Sequence, residues 1–222
     1  MFYNFANLAV GLLLRLLTRC RVEGIEHIPP SGPLLIVANH LNLVDPPMLG
    51  ALLPRRIVFM AKEELFGVPI IGRVITWYGA FAVKRGSADR QALRTAVAVL
   101  QNGNAVGMFP EGTRSKSGRM AAAHPGAALL AILASAPILP VAITGTDRLR
   151  SWHWFLARPT ITVRIGQPFR PERDRSGKGS LEGSTRSMMT RVALLLPEDR
   201  RGYYSEAASQ MEKGASLVDY QG

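Results

Sequence analysis

The chain opens on FYNFANLAVGLLLRLLTRCR, in which Phe2, Phe5, Ala9, Leu12, Leu13 and Leu16 recur at three- and four-residue steps. That spacing predicts a helix with one apolar face. Arg15, Arg19 and Arg21 follow, with no acidic residue before Glu23. A secretory signal carries its positive charge ahead of the apolar stretch, the reverse of this order. Two readings fit: an interfacial helix with arginines at lipid headgroups, or a first helix packed on the domain's own core. Further along, LLIVA (34–38), IVFMA (57–61), AFAV (80–83), AVGMF (105–109), ILPVAI (138–143) and TITVRIG (160–166) read as strands. Several are apolar enough to be buried on both faces. Helical spacing occupies 46–53, 88–102, 124–135 and 181–196; in the second of these Leu93, Ala96, Val97 and Leu100 share a face and Gly103 closes it. Strands alternating with helices predict an α/β fold, a largely parallel mixed sheet flanked by helices, preceded by an N-terminal amphipathic, membrane-associating helix. Residues 168–180 are polar and rich in Gly and Pro, a surface loop. The expected organisation is a helix over 1–19, one domain over 20–204 and a flexible tail over 205–222.

Composition narrows the partners. In 222 residues, 47% are hydrophobic and 19% charged, enough for a packed core. The net charge of +11 calls for an anionic partner. The basic residues are spread along the chain and aromatics make up only 7%, which favours a membrane surface over nucleic acid. One cysteine, Cys20, excludes an internal disulfide framework and a cysteine-based zinc cluster, and suits a reducing compartment. No apolar run reaches the roughly 18–20 residues of a spanning helix, so a bundle of such helices is excluded.

Three strand ends carry groups capable of chemistry. LLIVANHLNLVDPPML runs from a buried strand into His40, with Asp45 five residues on, at a helix N-cap before Pro46 and Pro47. On a continuous helix two such residues point away from each other, so they meet only if His40 lies on the strand-end loop and the chain curls back. Asp45 would then fix the imidazole tautomer and leave the other nitrogen to take a proton from a hydroxyl. The alternative is an ordinary loop histidine beside a helix cap. VGMFPEGTRSKSGRM ends a second strand in Glu111, Gly112, Thr113, Arg114 and Ser115. The two hydroxyls and the guanidinium suit a phosphomonoester, and Gly112 allows close backbone approach. Glu111 repels phosphate, so it would anchor an arginine or receive a substrate hydroxyl; the alternative for the whole segment is a solvated basic loop. GAFAVKRGS delivers Lys84 and Arg85 to a third strand end. There is no G-x-S-x-G elbow, phosphate-binding P-loop or dinucleotide fingerprint.

At these residues the sequence resembles the 1-acyl-sn-glycerol-3-phosphate acyltransferase family over roughly residues 20–204, which would make that span an acyltransferase domain. NHLNLVD is similar to the family's H-x-x-x-x-D block and FPEGTRS to its second hallmark; GAFAVKRG, ILPVAI, AKEELF and LLLPEDRRGYY are also family-like. The resemblance implies His40 and Asp45 as catalytic residues, Arg85, Glu111, Gly112, Thr113 and Arg114 at the substrate phosphate, and no metal or cofactor. It implies transfer of an acyl group from acyl-CoA or acyl-carrier protein to the sn-2 hydroxyl of lysophosphatidate. The enzyme would sit as a peripheral or monotopic protein on an anionic membrane surface, at the cytoplasmic face, without nucleic acid. Asn42 stands where the family usually has serine, Lys84-Arg85 closes its third block differently, and His124 replaces a common lysine. Those departures bear on the acceptor. The alternatives are another lysophospholipid, a lyso-ornithine lipid or glycerol 3-phosphate, or a basic membrane-binding protein without catalysis.

Overall fold

The computed structural model describes residues 2–84, 89–150, 153–171 and 181–218. Chain order is α1 (Phe2–Leu17), β1 (Arg19–Glu23), β2 (Leu34–Ala38), α2 (Asp45–Leu52), β3 (Ile57–Lys62), α3 (Glu63–Phe66), α4 (Ile71–Trp77) and β4 (Phe81–Val83). It continues with α5 (Arg90–Gln101), β5 (Ala105–Met108), α6 (Gly126–Ala134), β6 (Ile138–Thr144), α7 (Trp154–Ala157), β7 (Thr160–Ile165), α8 (Leu181–Leu194) and α9 (Ser205–Val218). The strands form one sheet in the order β1-β7-β6-β2-β5-β3-β4. Every neighbouring pair is parallel except β6 with β7. The sheet is thus mixed and mostly parallel, as the strand and helix alternation predicts.

All five residues of β2 are buried, which explains a run with no polar position. Leu35 and Val37 point to a core shared with α5, α6 and α8. Leu34, Ile36 and Ala38 point to the opposite core, with Leu14 of α1 and Met48 and Leu49 of α2. The two-residue alternation of a strand thereby feeds both layers of helices. Because β2, β3, β5 and β6 run the same way, His40, after β2, and Glu111, after β5, emerge at one edge of the sheet.

Helix α1 packs by a different stripe from the one its spacing marked. Tyr3 and Leu14 are buried, the Tyr3 hydroxyl accepts from the Ile57 N–H at 3.1 Å, and its ring meets Tyr78 edge-on at 5.4 Å. Phe5, Leu12, Leu13 and Leu16 of the predicted apolar face are exposed, together with Leu8. The helix is apolar nearly all round, so one stripe serves the domain and another is left bare. Among the described residues no helix is long and apolar enough to cross a membrane.

The tail expected over 205–222 is helical up to Val218 instead. Ala208 is fully buried, and Arg201, itself buried, makes a two-pronged pair with Glu212 at 2.9 and 2.7 Å. Small residues such as Ala207 and Ala208 pack α9 closely, and their weak hydropathy left little periodicity to see. Strand β1 was also missed, since RCRVE has only Cys20 and Val22 as apolar positions. Within the expected loop over 168–180, Phe169 bridges to Ile138; residues 172–180 lie outside the described set.

Candidate active site

The geometry at the end of β2 is set by polar side chains that tie one loop to the next. Asn39 uses both ends of its amide on Ile143, donating to its carbonyl at 2.9 Å and accepting from its N–H at 2.8 Å. That prolongs the β2–β6 pairing by a side chain and fixes where His40 leaves the sheet. The chain then curls back, as the five-residue spacing required, and His40 Nδ1 lies 2.8 Å from Asp45 Oδ2. The same oxygen accepts from the N–H groups of Leu41, at 2.7 Å, and Asn42, at 2.8 Å. Asp45 is 0% exposed and His40 6%. Three donors converging on one carboxylate oxygen aim it, and an imidazole that donates to it from Nδ1 keeps its lone pair on Nε2.

Packing holds the ring flat. The His40 ring stacks on Phe109 at 4.2 Å with 25° between the planes, and Phe109 stacks on Phe59 at 6.1 Å. Phe59 faces Gly107 across the β3–β5 pair, where a Cβ would lie 2.3 Å from the phenylalanine ring. Gly107 therefore makes room for the aromatic column that supports the imidazole.

The segment after β5 is welded to the His40 loop. Glu111, 4% exposed, accepts the His40 N–H on Oε1 at 3.1 Å and the Ala121 N–H on Oε2 at 2.8 Å. Burial pushes its carboxyl above the ordinary carboxylate range, although both backbone hydrogen bonds pull the other way. Among the described residues neither the arginine nor the open carboxylate expected of Glu111 is found: two backbone amides take both oxygens. The Ser115 N–H donates to the His40 carbonyl at 2.8 Å. The Ser115 hydroxyl, expected to face a phosphate, is buried and donates to the Arg119 carbonyl at 2.7 Å. Between these fixed points Thr113 and Arg114 project outward and are exposed. Gly112 turns at φ 68°, with the exposed His124 ring packed where a Cβ would sit. Lys84 is exposed, 3.9 Å from Glu63; Arg85 lies outside the described residues.

Two arginines that the sequence gave no reason to single out close the site. Arg150, on the 3-10 turn Thr146–Arg150 after β6, donates to the carbonyls of Leu41 at 2.9 Å, Ser115, and Lys116 at 3.3 Å. Arg200 pairs with Asp147 of the same turn at 2.9 Å and reaches the Gly118 carbonyl. Gly202, at φ 51°, brings the backbone against Met120, whose carbonyl would lie 2.2 Å from an added Cβ. The signal available for this region was the LLLPEDRRGYY block, whose Tyr204 hydroxyl accepts from the Ala123 N–H at 2.9 Å.

The arrangement presents an oriented imidazole beside an exposed Thr113–Arg114 loop. The acyltransferase family model matches residues 19–144. The chain is 33% identical over 167 residues to the 1-acyl-sn-glycerol-3-phosphate acyltransferase of Bacillus subtilis, covering 75% of this chain and 81% of that one. It is 31% identical over 152 residues to the chloroplast 1-acyl-sn-glycerol-3-phosphate acyltransferase of Arabidopsis thaliana, covering 67% of this chain but only 42% of that one. The crystal structure of the 1-acyl-sn-glycerophosphate (LPA) acyltransferase PlsC from Thermotoga maritima superposes with a TM-score of 0.66 at 26% identity, over 86% of this chain and 79% of that chain. With the family model spanning more than half of its length and a bacterial relative matched along most of both sequences, the chain belongs to the acyltransferase family that includes the 1-acyl-sn-glycerol-3-phosphate acyltransferases.

Proposed function

We propose that the protein transfers a fatty acyl group from acyl-CoA or acyl-carrier protein to the sn-2 hydroxyl of lysophosphatidate, forming phosphatidate. The observation that carries this reading is the 2.8 Å contact between His40 Nδ1 and Asp45, which leaves Nε2 as the basic nitrogen. Nε2 takes the hydroxyl proton as the oxygen attacks the thioester carbonyl carbon. As the tetrahedral centre collapses, the C–S bond breaks and Nε2–H returns the proton to the departing sulfur. The ester and a free thiol are the products, formed without an acyl-enzyme intermediate. Thr113, the Gly112 backbone, Arg114 and Arg85 grip the acceptor phosphate, so that the hydroxyl meets the base already oriented. Glu111 serves the same site from within, by holding the His40 backbone. No step of this scheme uses a metal or cofactor.

The reading includes an anionic membrane surface at the cytoplasmic face, with residues 1–19 as the contact helix. Support comes from the bare stripe of α1 and from further exposed apolar residues at both of its ends. Tyr3 touches Tyr78, at the end of α4, where Ile70, Ile71, Val74 and Trp77 are exposed. At the other end Arg158 donates to the Arg15 carbonyl, next to the exposed Phe155 and Leu156 of α7. Apolar side chains with arginines beside them suit the interface of an anionic bilayer.

The test is thiol release by the purified protein, offered both thioester carriers and a panel of lysophosphatidate, other lysophospholipids, lyso-ornithine lipid and glycerol 3-phosphate. Release that depends on lysophosphatidate and yields phosphatidate is expected. Release with another acceptor alone would reassign the headgroup, and no release with any acceptor would leave a non-catalytic basic membrane protein.

A further inference from the structure

We propose that Arg150 is a positioning residue that sets the distance between the base and the grip on the acceptor phosphate. The proposal rests on the roles given above to His40 and Arg114. Its origin is the set of atoms the guanidinium joins. Arg150 Nη2 donates to the carbonyls of Leu41 and Ser115, one on each catalytic loop, and Nη1 donates to the Lys116 carbonyl. Among the described residues it forms no ion pair, so these carbonyls, and not a carboxylate, account for its position.

The peptide chemistry makes the contact consequential. The Leu41 carbonyl belongs to the same rigid peptide plane as the Asn42 N–H, which donates to Asp45 Oδ2 at 2.8 Å. Holding the oxygen therefore aims the N–H that aims the carboxylate. On the other loop, the Ser115 N–H donates to the His40 carbonyl while the Ser115 carbonyl accepts from Arg150. A closed ring of hydrogen bonds results, running His40, Ser115, Arg150, Leu41, Asp45 and back to the His40 ring. Arg114 is the residue immediately before Ser115, so its backbone is fixed relative to the imidazole by that ring.

The turn carrying Arg150 is itself anchored twice. Asn42 Nδ2 donates to the Thr146 carbonyl at 2.9 Å, and Arg200 holds Asp147. Three carbonyls from two loops need a planar fork with several fixed N–H directions, which arginine has and lysine lacks. The guanidinium lies at the rim, partly open to solvent, so a small cation can reach the space it would vacate.

The experiment compares Arg150→Ala and Arg150→Lys with the parent protein, using acyl-CoA and lysophosphatidate. Both variants are expected to lose about 10- to 100-fold in kcat, the scale of a misplacement of about 1 Å. The thioester KM stays within about twofold, and added guanidinium chloride at sub-denaturing concentration restores part of the Ala variant's rate but none of the Lys variant's. In an Arg114→Ala background the further loss caused by Arg150→Ala shrinks, because the two residues act through one distance. A kcat within twofold of the parent in both variants overturns the proposal. So do losses that multiply with those of Arg114→Ala, or a loss that follows the melting temperature with no guanidinium recovery. If Arg114→Ala alone leaves the acceptor KM unchanged, the headgroup assignment fails by that separate readout and takes the coupling with it.

Discussion

Replacing Glu111 with glutamine separates two roles for a buried carboxylate: direct contact with the acceptor, or support of the His40 backbone. The amide is nearly isosteric but keeps one acceptor oxygen where the carboxylate has two. Since Oε1 serves the His40 N–H and Oε2 the Ala121 N–H, one of these buried donors must then face an NH2 group. An unsatisfied buried donor costs about 1–3 kcal/mol. For a chain of this length, at about 2–4 °C per kcal/mol, the melting temperature falls by roughly 2–12 °C. Relief of the desolvated charge offsets part of that, toward the lower figure. Burial raises the Glu111 carboxyl above its unfolded value, so only between the unfolded and folded values does the folded protein hold a proton that the unfolded chain has released. Its contribution to stability is therefore greatest below the unfolded value of about 4.3 and declines as pH rises through the folded one. The gap between parent and variant is accordingly wider at pH 5 than at pH 8. In the thiol-release assay kcat falls about tenfold or more as His40 loosens, with the acceptor KM within about twofold. An unchanged melting temperature together with a raised acceptor KM and intact kcat would refute this reasoning and return Glu111 to the acceptor's own contacts.

Three further outcomes follow from the packing. Gly202→Ala forces a left-handed backbone costing about 1–2 kcal/mol and a contact with the Met120 carbonyl, so thermal melting should drop by at least about 4 °C; an unchanged transition would mean this close approach is not needed. Arg201 holds the Glu212 carboxyl below its usual range, so the pair stabilises above the unfolded value of about 4.3 and is lost as pH falls through the folded one. Glu212→Ala should thus lower the melting temperature at neutral pH and converge with the parent in acid; equal melting at both would place α9 outside the folding unit. Binding to anionic vesicles should weaken with salt and weaken again in Leu8→Ser/Leu12→Ser, and retention by that variant at low salt would move the lipid contact away from α1.

Much of the scaffold was legible because buried strands announce themselves. LLIVA and ILPVAI have nowhere to go but the middle of a sheet, and Leu93, Ala96 and Leu100 mark the inner face of α5. The pairing of His40 with Asp45 was legible as a conditional, and the turn after β2 meets the condition. Less visible were contacts whose partners are backbone atoms. Glu111 and Ser115 looked like ligands for a substrate because a side chain's appetite for a carbonyl or an amide leaves no mark in sequence spacing. Arg150 was hidden for the same reason, standing 109 residues from the Leu41 carbonyl that it holds. In α1 the composition revealed an apolar helix, but an all-round apolar surface gives no direction, and the buried stripe was set by Tyr3 and Leu14.

The central claim is that an imidazole oriented by Asp45 takes the proton from the acceptor hydroxyl. Thiol release from acyl-CoA in the presence of lysophosphatidate, measured for His40→Ala against the parent with melting temperature as the control for folding, tests it most directly. A folded variant slowed by at least about 100-fold is the predicted result, and a folded variant with near-normal turnover would contradict it.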